Sequence, residues 1–186
     1  MSNLCSDAEM NDLIRDIQAD DQGDLQRIDT LLMRYADDPR LHFMRGSVLA
    51  GKQRLIEAHA SLSKAIELAP DFALARYQLG FFELTSGEAD RALSTWGPLL
   101  KLPADSYLRN FVEGLTHLIR DEFDDAIAKM RIGIGLNQEN APMNHDIELL
   151  IAECEKLRSQ NGLSGDEAQS ATSFILGQLS PDSTKH

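Results

Sequence analysis

The sequence predicts an all-α chain built from consecutive helical hairpins, and three observations carry that prediction. First, small and apolar residues recur at a step of 34: Gly46, Gly80 and Gly114; Ala58, Ala92 and Ala126; Phe43, Tyr77 and Phe111; Leu62, Trp96 and Met130; Leu68, Leu102 and Leu136. A fixed period of a few tens of residues marks a repeat architecture. Second, apolar residues between these columns return at three- and four-residue steps, as in Leu93, Trp96 and Leu100, which sets them on one helical face. Third, Gly87, Pro70 and Pro103 punctuate the helical stretches, where a residue without Cβ closes a helix and Pro follows its end.

Taken in order, residues 7–19 form an amphipathic helix through Met10, Leu13, Ile14 and Ile17. A turn is expected over 20–23. Leu25, Ile28, Leu31, Leu32 and Tyr35 form a second helix that ends before Pro39. Residues 1–38 thus read as an N-terminal helical hairpin or cap. Three repeats follow, over 39–72, 73–106 and 107–140. In the middle one, a helix over 71–86 breaks at Gly87 and a second runs over 88–101. The Gly column on each first helix and the Ala column on each second helix are expected where the two axes cross, because a larger side chain there overpacks. Residues 141–158 carry Ile147, Leu150, Ile151, Cys154 and Leu157 on one face and read as a capping helix. Terminal units of a repeat array are atypical because one face meets water. Residues 159–186 read as linker and tail, with Ala168, Ala171, Ile175 and Leu179 marking a short helix over 166–179.

Composition narrows the function classes. Of 186 residues, 42% are hydrophobic and 26% charged, as in a soluble globular domain. The net charge is −12, with −7 in residues 1–38 and +3 in residues 39–70. This balance argues against nucleic-acid binding, which needs cations to neutralise phosphates. No apolar run approaches the ~20 residues that span a bilayer, so no membrane insertion is expected. The opening MSNLCSDAEMND has neither a basic nor an apolar stretch of the secretory kind. Cys5 and Cys154 are far apart and lack a CxxC partner, which fits a reducing compartment. A cytoplasmic location is expected.

The search for chemistry gives little. Gly133-Ile-Gly135 lacks the third glycine and the preceding strand of a dinucleotide site, and no phosphate-binding GxxxxGK[ST] occurs. Glu113, His117 and Asp121 share a helix face at i, i+4 and i+8, a stripe that could ligate a metal but reads as a solvated face with a local ion pair. His42, His59, His145 and His186 have no ligand spacing. No catalytic group, metal or cofactor is expected, and the chain is read as a non-enzyme.

The spacing of Pro70, Leu79-Gly80, Gly87, Ala92 and Trp96 resembles the tetratricopeptide repeat (TPR), over residues 39–140. That resemblance implies a right-handed α-α superhelix, a TPR solenoid, whose first helices line a concave groove. On the family register the lining would be Arg40, Phe43, Met44 and Ser47, then Leu74, Tyr77, Gln78, Phe81 and Leu84, then Leu108, Phe111, Val112, Leu115 and Leu118. The chain departs from the family at the fourth and eleventh positions of the first helices. Those hold His42 and Leu49, Arg76 and Glu83, and Asn110 and His117 instead of a regular aromatic or apolar set. The resemblance implies a non-catalytic adaptor or scaffold that takes an apolar or amphipathic segment of a protein or peptide partner into the groove. One alternative is similar to the small acidic TPR chaperones of bacterial secretion systems. Another is self-association, a homodimer or an autoinhibited state made through the tail stripe. TPR modules that clamp acidic chaperone tails place cations and amides in the groove, where this chain has Phe43, Ser47, Gln78, Leu108 and Val112. Without charge-assisted hydrogen bonds, an acidic pentapeptide is expected to bind no tighter than about 100 μM by calorimetry.

Overall fold

The computed structural model describes residues 4–19 and 23–161. Among these residues the chain is all α-helical, without a strand. The elements are α1 (Asp7–Gln18), α2 (Asp24–Arg34), α3 (Pro39–Gly51), α4 (Leu55–Leu68), α5 (Ala73–Thr85), α6 (Ala89–Trp96), α7 (Tyr107–Ile119), α8 (Phe123–Leu136) and α9 (Ala141–Asn161). The expected helix over 166–179 and most of the expected turn at 20–23 lie outside the described residues. The second helix of the middle repeat is shorter than expected. Pro98 has no N–H to continue the α-helical ladder, so α6 stops at Trp96 and tightens into a 3-10 turn over Gly97–Lys101. The chain divides into two compact units, with the boundary between Phe82 and Glu83 inside α5.

In the first unit, α1 opens with a capping box. The Ser6 hydroxyl accepts from the Glu9 N–H while the Glu9 carboxylate accepts from the Ser6 N–H. Two orphan donors of the first turn are thereby satisfied. Cys5, Met10, Leu13, Ile28 and Leu41 form the buried core of α1, α2 and α3. Asp38 caps α3 through the Arg40 N–H at 3.0 Å. It is fully buried and also accepts from the Cys5 N–H at 2.9 Å and from the Arg40 guanidinium at 2.8 Å. Arg40 in turn donates to the Cys5 carbonyl at 2.6 Å. The residues before α1 are therefore bonded directly to the start of α3.

The hairpins close by one recurring turn. Gln53, Gly87 and Asp121, again 34 apart, are the residues with positive φ among the described residues, at 59°, 84° and 58°. Around each, the same pair of backbone bonds forms. Arg54, Glu88 and Glu122 N–H reach back to Leu49, Glu83 and His117 carbonyls, and Gln53, Gly87 and Asp121 N–H reach Ala50, Leu84 and Leu118. This is the helix-ending motif with a left-handed residue just past the C-cap. A second recurring bond replaces the missing aromatic at the fourth position. His42 Nε2 donates to the Ala36 carbonyl at 2.8 Å, Arg76 Nη2 to Pro70 at 2.8 Å, and Asn110 Nδ2 to Ala104 at 2.9 Å. Each first helix is thus fastened to the carbonyl three residues before its start.

Within α3–α4 and α7–α8 the helices cross on bare backbone. A Cβ on Gly46 would lie 2.6 Å from Leu62 Cγ, and one on Gly114 would lie 2.8 Å from Met130 Cγ and 3.1 Å from the Ala126 carbonyl. The expected glycine column therefore sits at the crossing. It faces chiefly the Leu62 and Met130 column rather than the Ala side chains. Gly133 of α8 does the same for the Phe111 ring, 2.4 Å from a Cβ placed there, whereas Gly135 meets nothing within 4 Å.

These two glycines of one helix predict opposite effects. Gly135→Ala gains helix propensity of about 0.8–1 kcal/mol and should raise the urea midpoint. Gly133→Ala gains the same propensity but must displace the fully buried Phe111 ring, an overpacking cost of about 1–3 kcal/mol, and should lower it.

Candidate functional site

The residues expected to line a groove divide by burial. In the first unit, Arg40, Phe43, Met44, Ser47, Leu74, Gln78 and Phe81 are half-buried and keep some accessible surface. Tyr77 is buried and stacks on Phe81, with ring centroids 6.2 Å apart and planes 14° from parallel. The Phe43 ring lies 5.3 Å from Phe72, which joins α3 to the start of α5. Arg40 is engaged by Asp38 and by Asp7 at 3.3 Å. In the second unit, Leu84, Leu108, Phe111, Val112, Leu115 and Leu118 are all buried and offer no surface to a ligand. Phe111 shows the physical reason, because its ring fits against Gly133 inside the α7–α8 hairpin. The accessible part of the expected lining is therefore the aromatic and aliphatic face of α3 and α5 in the first unit.

A second surface lies between α1 and α2. Glu9, Asp12, Leu13, Asp16, Arg27, Thr30 and Leu31 line an open cleft of about 290 Å³. Glu9 is held at its rim by the Ser6 hydroxyl at 2.8 Å, the Tyr35 hydroxyl at 2.9 Å and Arg34 at 2.8 Å. The hydrogen bonds from Ser6 and Tyr35, with Arg34 adding charge, hold its carboxyl down at about 2. Burial pushes the Asp38 carboxyl up, but the bonds from Arg40 and the Cys5 N–H outweigh that and leave it below the usual range.

The two thiols are enclosed. Burial, then the charges of Glu9 and Asp38, pushes Cys5 up, and burial pushes Cys154 up to about 11. Thiols held protonated in this way are poor nucleophiles. The Glu113/His117/Asp121 stripe does not survive as a unit. Glu113 is taken by Arg109 at 2.8 Å and Lys129 at 2.5 Å. Asp121 leaves the helix at φ 58°. His117 Nδ1 instead meets Glu122 at 2.6 Å.

Paired helices crossing on glycine, with a repeated turn at the 34-residue step, define a helical-hairpin repeat fold of the TPR type. No family model matches the chain, and no curated protein matches it. Among solved structures it is similar to one described as "MamA RS-1 ArsTM double mutant", with a TM-score of 0.58 and 15% identity over 95% of each chain. MamA is a TPR-repeat protein, and the likeness establishes the fold.

The carboxyl of Glu9 fixes a pH dependence. An unfolded Glu titrates near 4.3, and in the fold Glu9 is held at about 2. Its contribution to stability is complete above about pH 4.3 and is lost as pH falls toward about 2. Glu9→Gln should therefore lower the urea midpoint at pH 7, and the gap to wild type should close as pH approaches 2. A gap that stays constant over that range would show that the carboxylate does not anchor the hairpin.

Proposed function

We propose that the chain is a non-catalytic adaptor that binds an apolar or amphipathic segment of a partner protein on the α3–α5 face of its first unit. The observation that carries this reading is the row of half-buried Phe43, Leu74, Gln78 and Phe81 on the first helices of successive hairpins, whereas Met44 packs toward the core of α1, α2 and α3. A helix or extended segment recognised this way docks apolar anchors into the aromatic face while its polar side meets water. The similarity to MamA supports a scaffold role through fold alone. The enclosed thiols and the dispersal of Glu113, His117 and Asp121 into separate contacts agree with a binding role rather than a catalytic one.

Affinity capture with wild type, Phe81→Asp and Gln78→Arg, quantified by mass spectrometry, tests the reading. Proteins held by wild type should fall at least about tenfold with either variant, a loss of about 1.4 kcal/mol. Both variants must first retain wild-type helicity by circular dichroism. The same partners at the same abundance in all three captures would refute the α3–α5 face as the binding surface.

A further inference from the structure

We propose that His117, Glu122 and Asp125 form a binding site for a divalent transition-metal ion of the zinc class at the α7–α8 turn. The three side chains come from the last turn of α7, the residue preceding α8 and the first turn of α8. One ligand atom from each lies within 4.8 Å of the other two. An imidazole with two carboxylates is a donor set that suits zinc, which takes three protein ligands and leaves a fourth position to water. Two carboxylates and a neutral imidazole also balance the charge of a divalent cation.

The surroundings separate this group from the ordinary ion pairs of the same hairpin. Glu113 already has Arg109 and Lys129, and Asp124 has Arg158 at 2.7 Å. Around His117, by contrast, two carboxylates converge on a single imidazole. With bonds near 2.0–2.2 Å, tetrahedral ligand atoms stand about 3.3 Å apart. Glu122 already meets His117 Nδ1 at 2.6 Å, a contact the ion would replace, and Glu122 and Asp125 are exposed, so their side chains have room to adjust around it. The site is separate from the α3–α5 face and does not rest on the adaptor reading. It revises the expectation, drawn from the stripe of Glu113, His117 and Asp121, that this face holds no metal: the ligands lie across the turn instead of along one helix.

The full chain titrated with zinc chloride in chelator-free buffer tests the proposal by calorimetry and thermal unfolding. We expect a one-to-one site and a raised melting temperature. His117→Ala, and separately Glu122→Gln or Asp125→Asn, should weaken binding at least about tenfold. His145→Ala should leave the affinity unchanged. The ring carbon resonances of His117 should shift on addition of zinc. Any one of three results would overturn the site: no zinc binding below about 1 mM, His117→Ala binding as tightly as wild type, or magnesium binding as tightly as zinc, since magnesium takes oxygen ligands. Far-UV spectra identical to wild type keep the three ligand variants interpretable, and the histidine resonance reads the site in the unaltered chain.

Discussion

The α3–α4 and α7–α8 hairpins depend on a missing atom. At Gly46 and Gly114 the absence of Cβ lets the second helix lay Leu62 or Met130 across bare backbone. At 2.6–2.8 Å a methyl group would sit well inside van der Waals contact, and in α7–α8 the Ala126 carbonyl is already 3.1 Å away. Interiors this dense have no slack to absorb a methylene. Helix separation, the enclosure of Leu62 and Met130, and the face that each first helix turns inward all follow from that one constraint.

Helices held so close leave little room between the end of one and the start of the next. The chain reverses through a single left-handed residue, Gln53, Gly87 or Asp121. Only one of the three is glycine, although the left-handed region costs other residues about 1–2 kcal/mol. The backbone bonds from residues 53 and 54, 87 and 88, and 121 and 122 offset that cost by satisfying carbonyls at the helix ends. At the other end of each first helix, His42, Arg76 and Asn110 do with a donor N–H what the family does with an aromatic ring. A buried polar side chain is tolerable here because it is bonded: Asn110 reaches two carbonyls, Ala104 and Ser106, at 2.9 Å each.

This explains what the sequence could and could not reveal. The Gly column was legible because close approach admits one residue type, and the first helix of the middle repeat fell near its expected range. The turn column was not legible, since Gln53 and Asp121 look like ordinary helix-end residues beside Gly87. The fourth-position bond was hidden for a related reason: His, Arg and Asn share a donor rather than a shape, so no column of similar residues appears. The Ser6–Glu9 capping box went unread, although its S-x-x-E spacing is in the sequence. The burial of the expected lining was not legible. Periodicity places Phe43, Tyr77 and Phe111 on equivalent turns, but it does not say what covers them. Gly133 draws Phe111 into the hairpin, and no pattern in α7 itself records that. His117 was visible as a ligand candidate, while Glu122 and Asp125 were not, because a helical stripe cannot anticipate a partner across a turn.

The uneven charge of the sequence acquires a structural meaning that bears on recognition. Two cations of the basic segment reach acids of the first 38 residues: Arg40 with Asp38 and Asp7, Arg45 with Asp29. Arg54 and Lys64 pair within their own helix region, with Glu57 and Glu67. The exposed pairs contribute about 0–1 kcal/mol each, so their importance is positional more than energetic. Asp38 differs, because it is fully buried and its removal would strand the Cys5 N–H and leave the Arg40 guanidinium with the Cys5 carbonyl and the exposed Asp7. With Arg40 and Arg45 of α3 already engaged by the chain's own carboxylates, an acidic ligand on the proposed α3–α5 face would have to compete with intramolecular partners. Phe43 and Phe81 are packed on Phe72 and Tyr77 and half-buried, and the remaining face of each ring is what an apolar ligand would cover. On the proposed reading, the ion pairs of the first unit favour recognition by burial of apolar surface over recognition by charge.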